Sequence, residues 1–270
     1  MIPKGLSEYA DGMLLAGTVD RIGYLVINNP QRHNAISLDM WAAATEVLAD
    51  MQSDKETRAL VVTGAGGKAF ASGADISKFE SERSTEEAVA HYQATSAKFY
   101  STLEHFPKPT LALIKGYCIG GGLALAVCCD IRICTDRSSF GVPAAKLGLG
   151  YGYSGIKRLT RLVSVAFAQE IFYTARQFTA QEAADMGLVN RMLSGTVIDT
   201  YVEDYLNRIR ENAPMTIAAV KAVTLAIEQD PDQRDHTALD KMVEDCFRSD
   251  DYIEGRRAFM EKRKPDFKGS

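Results

Sequence analysis

The stretch Lys115 to Asp130, KGYCIGGGLALAVCCD, constrains this chain more than any other. The apolar run Thr110 to Ile114 ahead of it has the length of a buried strand. The small and apolar residues after its three consecutive glycines read as a buried helix. Glycines between a strand and a helix let the backbone approach a neighbour closely. A helix start offers N–H groups without intrahelical acceptors and the positive end of the peptide dipole. An oxygen gathering negative charge is a natural guest there. On this stretch alone two readings stay open, an anion-holding corner and plain strand–helix packing.

A chain of 270 residues can bury a large core, and its 46% apolar and 24% charged residues are ordinary for a soluble globular protein. A net charge of −4 gives no support for a nucleic-acid partner. The five cysteines lack CxxC or zinc-type spacing. Four of them, Cys118, Cys128, Cys129 and Cys134, stand in apolar surroundings, as buried thiols of a reducing compartment do. His33, His91, His105 and His236 have no metal-type spacing, so no metal is expected. Met1 to Ala10 shows no signal-peptide pattern and no apolar run approaches a membrane span, so no membrane is expected and the cytoplasm is the default location.

Met13 to Val19 and Ile22 to Asn28 read as a hairpin turning at Asp20-Arg21. Ser37 is placed to cap a helix from Leu38 to about Met51, with Trp41, Ala44, Val47, Leu48 and Met51 on its apolar side. Ala59 to Thr63 is a short buried strand, and Ser77 to Ala88 a polar loop or frayed helix leading into helix to about Phe106. Ile131 to Thr135 is another strand, and Ser139 to Gly155 reads as loop with short turns. Helices follow over about Val165–Thr174, Ala180–Met186, Val197–Asn212, Thr216–Glu228, Thr237–Arg248 and Tyr252–Arg263, with a last short strand in Leu188 to Met192. Strands alternate with helices in the first two thirds and helices dominate the last, which describes an α/β core (residues 1–195) with a helical C-terminal part (residues 196–270).

Familiar phosphate-binding motifs fail. Val62 stands where the first glycine of a P-loop ending in Gly67-Lys68 belongs, and Ala69 where its Ser or Thr belongs. Leu125 stands where the third glycine of a dinucleotide fingerprint starting at Gly120 belongs. There is no Gly-x-Ser-x-Gly elbow.

What remains is an ordered set of segments: NPQRHNAI from Asn29, VVTG from Val61, FASGADI from Phe70, KGYCIGGG from Lys115, CDI from Cys129, LGL from Leu147, FTAQEA from Phe178, GLV from Gly187 and AFMEKRKP from Ala258. This set, spanning nearly the whole chain in order, resembles the enoyl-CoA hydratase/isomerase (crotonase) family. The resemblance implies a spiral of repeated β-β-α units with a helical C-terminal part that trimerises, in a homotrimer or homohexamer. It implies an acyl-CoA thioester as substrate, with coenzyme A carried by the substrate and no other cofactor, and a crotonase-type lyase or isomerase of fatty acid metabolism. The oxyanion donors it implies are the backbone N–H groups of Ser72 and Gly121. The CoA contacts it implies are Arg32, Ala35, the segment Ser72, Gly73, Ala74, Asp75 and Ile76, and, toward a neighbouring subunit's CoA, Phe259 and Lys262. Asp75 and Asp130 are expected in structural rather than chemical roles.

The departures from the family are specific. Its hydratases hold a water with two glutamates, and Ala124 and Ala144 stand at those positions. Two acid/base groups worth ~10²–10⁴-fold each are thereby missing, so conventional hydration is not expected to be efficient. Some relatives carry an aspartate where Gly152 stands. Family decarboxylases of malonyl-type thioesters carry a tyrosine where Tyr151 follows Leu147-Gly148, and also a histidine where this chain has Ala74. A phenol orients or donates and is a poor base at neutral pH. Lys146 and His33 are lesser candidates. Three functions follow: an acyl-CoA enzyme that stabilises a thioester enolate without the glutamate pair, a decarboxylase using Tyr151, or a catalytically silent acyl-CoA binder.

Overall fold

The computed structural model describes residues 2–75 and 84–270. The strands are β1 (Ser7–Tyr9), β2 (Leu14–Val19), β3 (Ile22–Ile27), β4 (Ala59–Gly64), β5 (Ala69–Ala71), β6 (Thr110–Ile114), β7 (Tyr117–Ile119), β8 (Ile131–Thr135), β9 (Ser139–Gly141), β10 (Phe178–Thr179) and β11 (Arg191–Leu193). The helices are α1 (Leu38–Ser53), α2 (Glu86–Glu104), α3 (Gly121–Ala126), α4 (Tyr153–Thr160), α5 (Val165–Thr174), α6 (Ala180–Asp185), α7 (Ile198–Glu211), α8 (Pro214–Ile227), α9 (His236–Arg248) and α10 (Asp250–Glu261).

A seven-stranded sheet runs in the order β1-β2-β3-β4-β6-β8-β11, parallel from β3 onward. A four-stranded sheet runs β10-β9-β7-β5, with β5, β7 and β9 parallel. Each of β4, β6 and β8 is therefore followed by a short strand in the second sheet before the chain returns. That is the β-β-α spiral, repeated three times. The large sheet is covered on both faces, which explains strands that read as continuous apolar runs. Leu60, Val62, Ala112 and Ile114 face α1, α2 and the small sheet, while Val61, Leu111 and Leu113 face α7 through Ile198, Val202 and Leu206.

The hairpin turns where expected, with Asp20 (φ +48°) and Arg21 (φ +64°) both left-handed, as a tight two-residue turn between twisted strands requires. α1 buries the expected face. Ser37 occupies its N-cap, yet its hydroxyl bonds no backbone N–H and is buried without a partner among the described residues.

Two readings need correction. β6 does not lead directly into the three glycines. Gly116 (φ +76°) turns the chain out of the large sheet, and β7 intervenes. A Cβ on Gly116 would sit 2.0 Å from Lys68 O, so only glycine passes there. Ser139 to Gly155 is not all loop either. It contains β9, a 3₁₀ turn over Pro143–Leu147 and the start of α4. The segment 76–83, which includes Ile76 and most of the expected polar loop, lies outside the described residues.

The helical last third is tied to the core by a buried pair. Lys221 Nζ of α8 donates to Asp130 Oδ2 at 2.7 Å and to Lys108 O at 2.8 Å. The same carboxylate oxygen accepts Thr110 N at 2.7 Å and Thr110 Oγ1 at 2.9 Å. Burial pushes the Lys221 ammonium below its ordinary pKa, and Asp130 opposes that shift. No helix among the described residues is long and apolar enough to cross a membrane. The five cysteines are free thiols.

Candidate active site

β5 and β7 pair in parallel, so the segments leaving their C-terminal ends emerge side by side. These are Ser72-Gly73-Ala74 and Gly120-Gly121-Gly122. Their contact leaves no room for side chains. A Cβ on Gly73 would lie 3.0 Å from Gly121 N, and Gly73 holds φ +96°. A Cβ on Gly122 would lie 2.0 Å from Ala71 O. Gly120 takes φ +55° and donates its N–H to Gly141 O at 2.8 Å, fastening the turn to β9. Gly122→Ala is expected to cost at least ~1–3 kcal/mol of stability through overpacking, read as a lowered thermal midpoint.

Gly121 opens α3, so its N–H has no acceptor inside the helix. α3 is only six residues long, under two turns, so the helix-dipole contribution expected from the sequence is smaller than a full helix would supply. The N–H group itself remains.

The residues expected on the CoA side cluster on the first of these segments. Ile36 N donates to Gly73 O at 2.8 Å and Asp75 N to Ile36 O at 3.0 Å, an isolated parallel bridge that holds the Arg32 to Ala35 turn against Ser72 to Asp75. Ser72 Oγ donates to Arg32 O at 3.3 Å. Arg32 Nη1 meets both carboxylate oxygens of Asp75 at 3.2 Å, with the arginine side chain 54% exposed and the aspartate 9%. Asp75 is thus an arginine partner, and Arg32 reaches solvent from a fixed base. Ala35 is buried, and His33 (φ +52°) sets its ring edge-to-face with Tyr117, the ring centres 6.1 Å apart.

Phe259 and Lys262 are not brought to this cluster within one chain. Phe259 is 83% exposed and lines an apolar groove of about 990 Å³ between α8, α9 and α10. Lys262 closes α10 in a left-handed conformation. Lys146 is exposed on its 3₁₀ turn.

Tyr151 is half-buried, its ring 4.8 Å from Phe172. Burial raises its phenol to about 12, with the neighbouring Cys128 adding and Arg158 opposing. Cys128, two residues past the end of α3, donates its Sγ–H to Ala124 O at 3.2 Å and is raised to about 12 by burial as well. Tyr151 therefore neighbours Cys128, just past the C-terminal end of α3. Ala124 follows Gly121 by three residues, on the same face of that helix. Ala144 is buried, and its neighbour Pro143 comes within 3.8 Å of a Cβ built on Gly120. Ala124 thus lies on the helix that the glycine turn opens, and Ala144 follows a residue that faces the turn.

The sequence reading overlooked Tyr100 and its surroundings. Tyr100 Oη of α2 donates to Gly121 O at 3.2 Å. One turn further along α2, Glu104 accepts Arg158 Nε at 2.7 Å and Arg161 Nη1 at 3.2 Å, joining α2 to the end of α4. No local pattern marks these partners, which come from segments 20 to 60 residues apart. Burial and the nearby Tyr151 raise the Tyr100 phenol well above 10. Both phenols are held above their unfolded value of 10, so their contribution to stability is complete below about pH 10 and is lost as pH rises through the folded values. Tyr100→Phe with Tyr151→Phe should remove this part of the alkaline destabilisation, seen in melting curves between pH 9 and pH 12 as about-unit pH steps.

Among the described residues no group of three or more His, Cys, Asp or Glu side chains is placed to hold a metal. The sequence model of the enoyl-CoA hydratase/isomerase family matches residues 18–270, and the chain belongs to that family. It is 34% identical over 248 residues to a short-chain-enoyl-CoA hydratase of Clostridium acetobutylicum, covering 90% of this chain and 93% of that protein. It is 33% identical over 249 residues to a crotonyl-CoA hydratase of Syntrophomonas wolfei, covering 92% and 95%. The crystal structure of an enoyl-CoA hydratase/carnithine racemase from Magnetospirillum magneticum superposes with a TM-score of 0.89 at 34% identity, over 96% of each chain. The crotonase-like fold expected from the sequence is the fold observed.

Proposed function

We propose that the protein is an acyl-CoA-processing enzyme that stabilises a thioester enolate with the backbone N–H groups of Ser72 and Gly121. The observation that carries this reading is the side-chain-free contact between Gly73 and Gly121, built by the parallel pairing of β5 with β7. Backbone donors on paired strands need no reorganisation as charge develops, and one such donor is worth roughly 10²–10³ in rate. Arg32, anchored by Asp75, supplies a cation for the nucleotide end of the thioester. The named relatives act on short enoyl-CoA thioesters, which supports the substrate class.

The acid/base apparatus is not the glutamate pair. With methyl groups at 124 and 144, nothing at those positions orients or deprotonates water. Conventional hydration is therefore slow in the unmodified protein. The test is loss of the conjugated absorbance of crotonyl-CoA. Turnover at an ordinary hydratase rate would defeat the claim that the carboxylates matter.

A second reading, decarboxylation of a malonyl-type thioester, is favoured by the Tyr151 phenol, which burial holds protonated beside Cys128. The C–C bonding pair of the departing carboxylate moves into the thioester carbonyl, CO₂ leaves, and the enolate takes a proton at its α-carbon. A phenol held at about 12 stays protonated throughout the working range, so Tyr151 orients or donates and contributes no inflection to a rate profile between pH 6 and pH 9, roughly the range below its ionisation. Release of CO₂ from methylmalonyl-CoA, lost in Tyr151→Phe, is the expected result under this reading. CoA-thioester binding without turnover across a substrate panel would leave a silent binder.

A further inference from the structure

Gly121 is the least anchored residue of the site by composition, since Gly120 and Gly122 flank it and none of the three has a side chain. Three glycines in a row leave the backbone its widest conformational freedom. An oxyanion donor has to be held within ~0.5 Å of its productive place. Something outside the glycine turn must therefore hold it.

We propose that Tyr100 is the positioning residue of the Gly121 donor, fixing that peptide segment from the helix side while Gly73 and Ala74 fix it from the strand side. This rests on the acyl-CoA reading of the site. A Cβ built on Gly121 would meet Tyr100 Oη at 3.3 Å, Gly73 Cα at 3.2 Å and Ala74 N at 3.5 Å, so the residue is held between two walls. The hydroxyl donates to the Gly121 carbonyl at 3.2 Å. That bond fixes the plane of the Gly121–Gly122 peptide and with it the place of Gly121 Cα, to which the donor nitrogen is bonded.

The pin is itself rigid. The Tyr100 ring packs 5.1 Å from Trp41 and 5.8 Å from Phe99. Trp41 is in turn 4.8 Å from Phe99 and fully buried. Glu104, four residues on and so on the same face of α2, is held by Arg158 and Arg161. α2 cannot slide along α4 without breaking both ion pairs. Burial keeps the phenol protonated, so it donates at every working pH.

Tyr100→Phe keeps the ring and its packing and deletes only the donor. The readout is the absorption of bound 2,4-hexadienoyl-CoA, whose band moves to longer wavelength when its thioester carbonyl is polarised. The unmodified protein is expected to red-shift the bound probe. Tyr100→Phe is expected to lose roughly half or more of the shift while Kd changes less than about threefold, because one neutral hydrogen bond remote from the ligand is lost. Tyr92→Phe, which deletes a buried hydroxyl 3.4 Å from Trp41 Nε1, is the control and should retain the shift.

An unchanged shift in Tyr100→Phe would overturn the positioning role and leave the acyl-CoA reading intact. An equal loss in Tyr92→Phe would overturn it too, as a general packing effect. A probe that binds the unmodified protein without any red shift would overturn the oxyanion hole and the positioning role together. Should Tyr100→Phe fold poorly, Tyr100→His, which can keep a donor on a smaller ring, is expected to retain more of the shift than Tyr100→Leu, and equality of the two would overturn the proposal.

Discussion

Ala124→Glu combined with Ala144→Glu is expected to raise crotonyl-CoA hydration by several orders of magnitude, since each acid/base group contributes ~10²–10⁴-fold. Both positions border the glycine turn. Ala124 lies one helical turn past Gly121 on α3, and Ala144 follows Pro143, whose ring is 3.8 Å from a Cβ built on Gly120. Two carboxylates sharing one site do not both ionise readily, so one takes the acid role and the other the base role. Each single substitution should recover far less than the pair. Ala144 is 6% exposed in a 3₁₀ turn, so its replacement also carries a desolvation cost, and the melting temperature of the double variant should fall. The measurement is decay of enoyl-thioester absorbance at pH 7, alongside circular dichroism. A folded double variant with no gain would mean that the acyl pocket differs in more than these two groups.

Lys221→Met is expected to lower the unfolding free energy by about 1–3 kcal/mol, because it leaves a partly buried carboxylate without its cation. Lys221 is the buried partner, with its side chain 7% exposed, and Asp130 is 31% exposed. The aspartate retains Thr110 N and Thr110 Oγ1, which places the cost toward the lower end. The ammonium also caps Lys108 O, so the variant strands a carbonyl as well. Lys221→Met with Asp130→Asn should recover most of the loss, since the amide keeps an acceptor for Thr110 without a charge to bury. Denaturant unfolding of the single and double variants measures both. A cost below about 1 kcal/mol for the single change would show that packing alone docks α8.

The two variants probe different levels of the chain. The alanines at 124 and 144 are legible as residue identities within a local pattern. GGG and the proline of Pro143 mark the positions, and the residue type speaks for itself. The ion pair of Lys221 with Asp130 joins residues 91 apart, and no spacing rule connects them. The same contrast runs through the fold. The face of α1, the turn at Asp20-Arg21 and the span of α5 follow from periodicity and turn chemistry within a dozen residues. β7 and β9 are three residues each, too short to show a period, and exist only because β5 and β10 are there to pair with them.

By itself the sequence determined the alternation of strands and helices, the order of the family segments, the side-chain-free turn at Gly120 to Gly122 and the alanines at 124 and 144. All of these are properties of neighbouring residues, written in the local sterics of glycine and in residue identity. Only the tertiary structure decided that Gly73 meets Gly121, that α3 is six residues long, that Arg32 is held by Asp75 and that Tyr100 reaches the Gly121 carbonyl. Those contacts depend on parallel pairing in a second sheet and on the position of α2, which are set by burial summed over the whole core rather than by any one stretch of it.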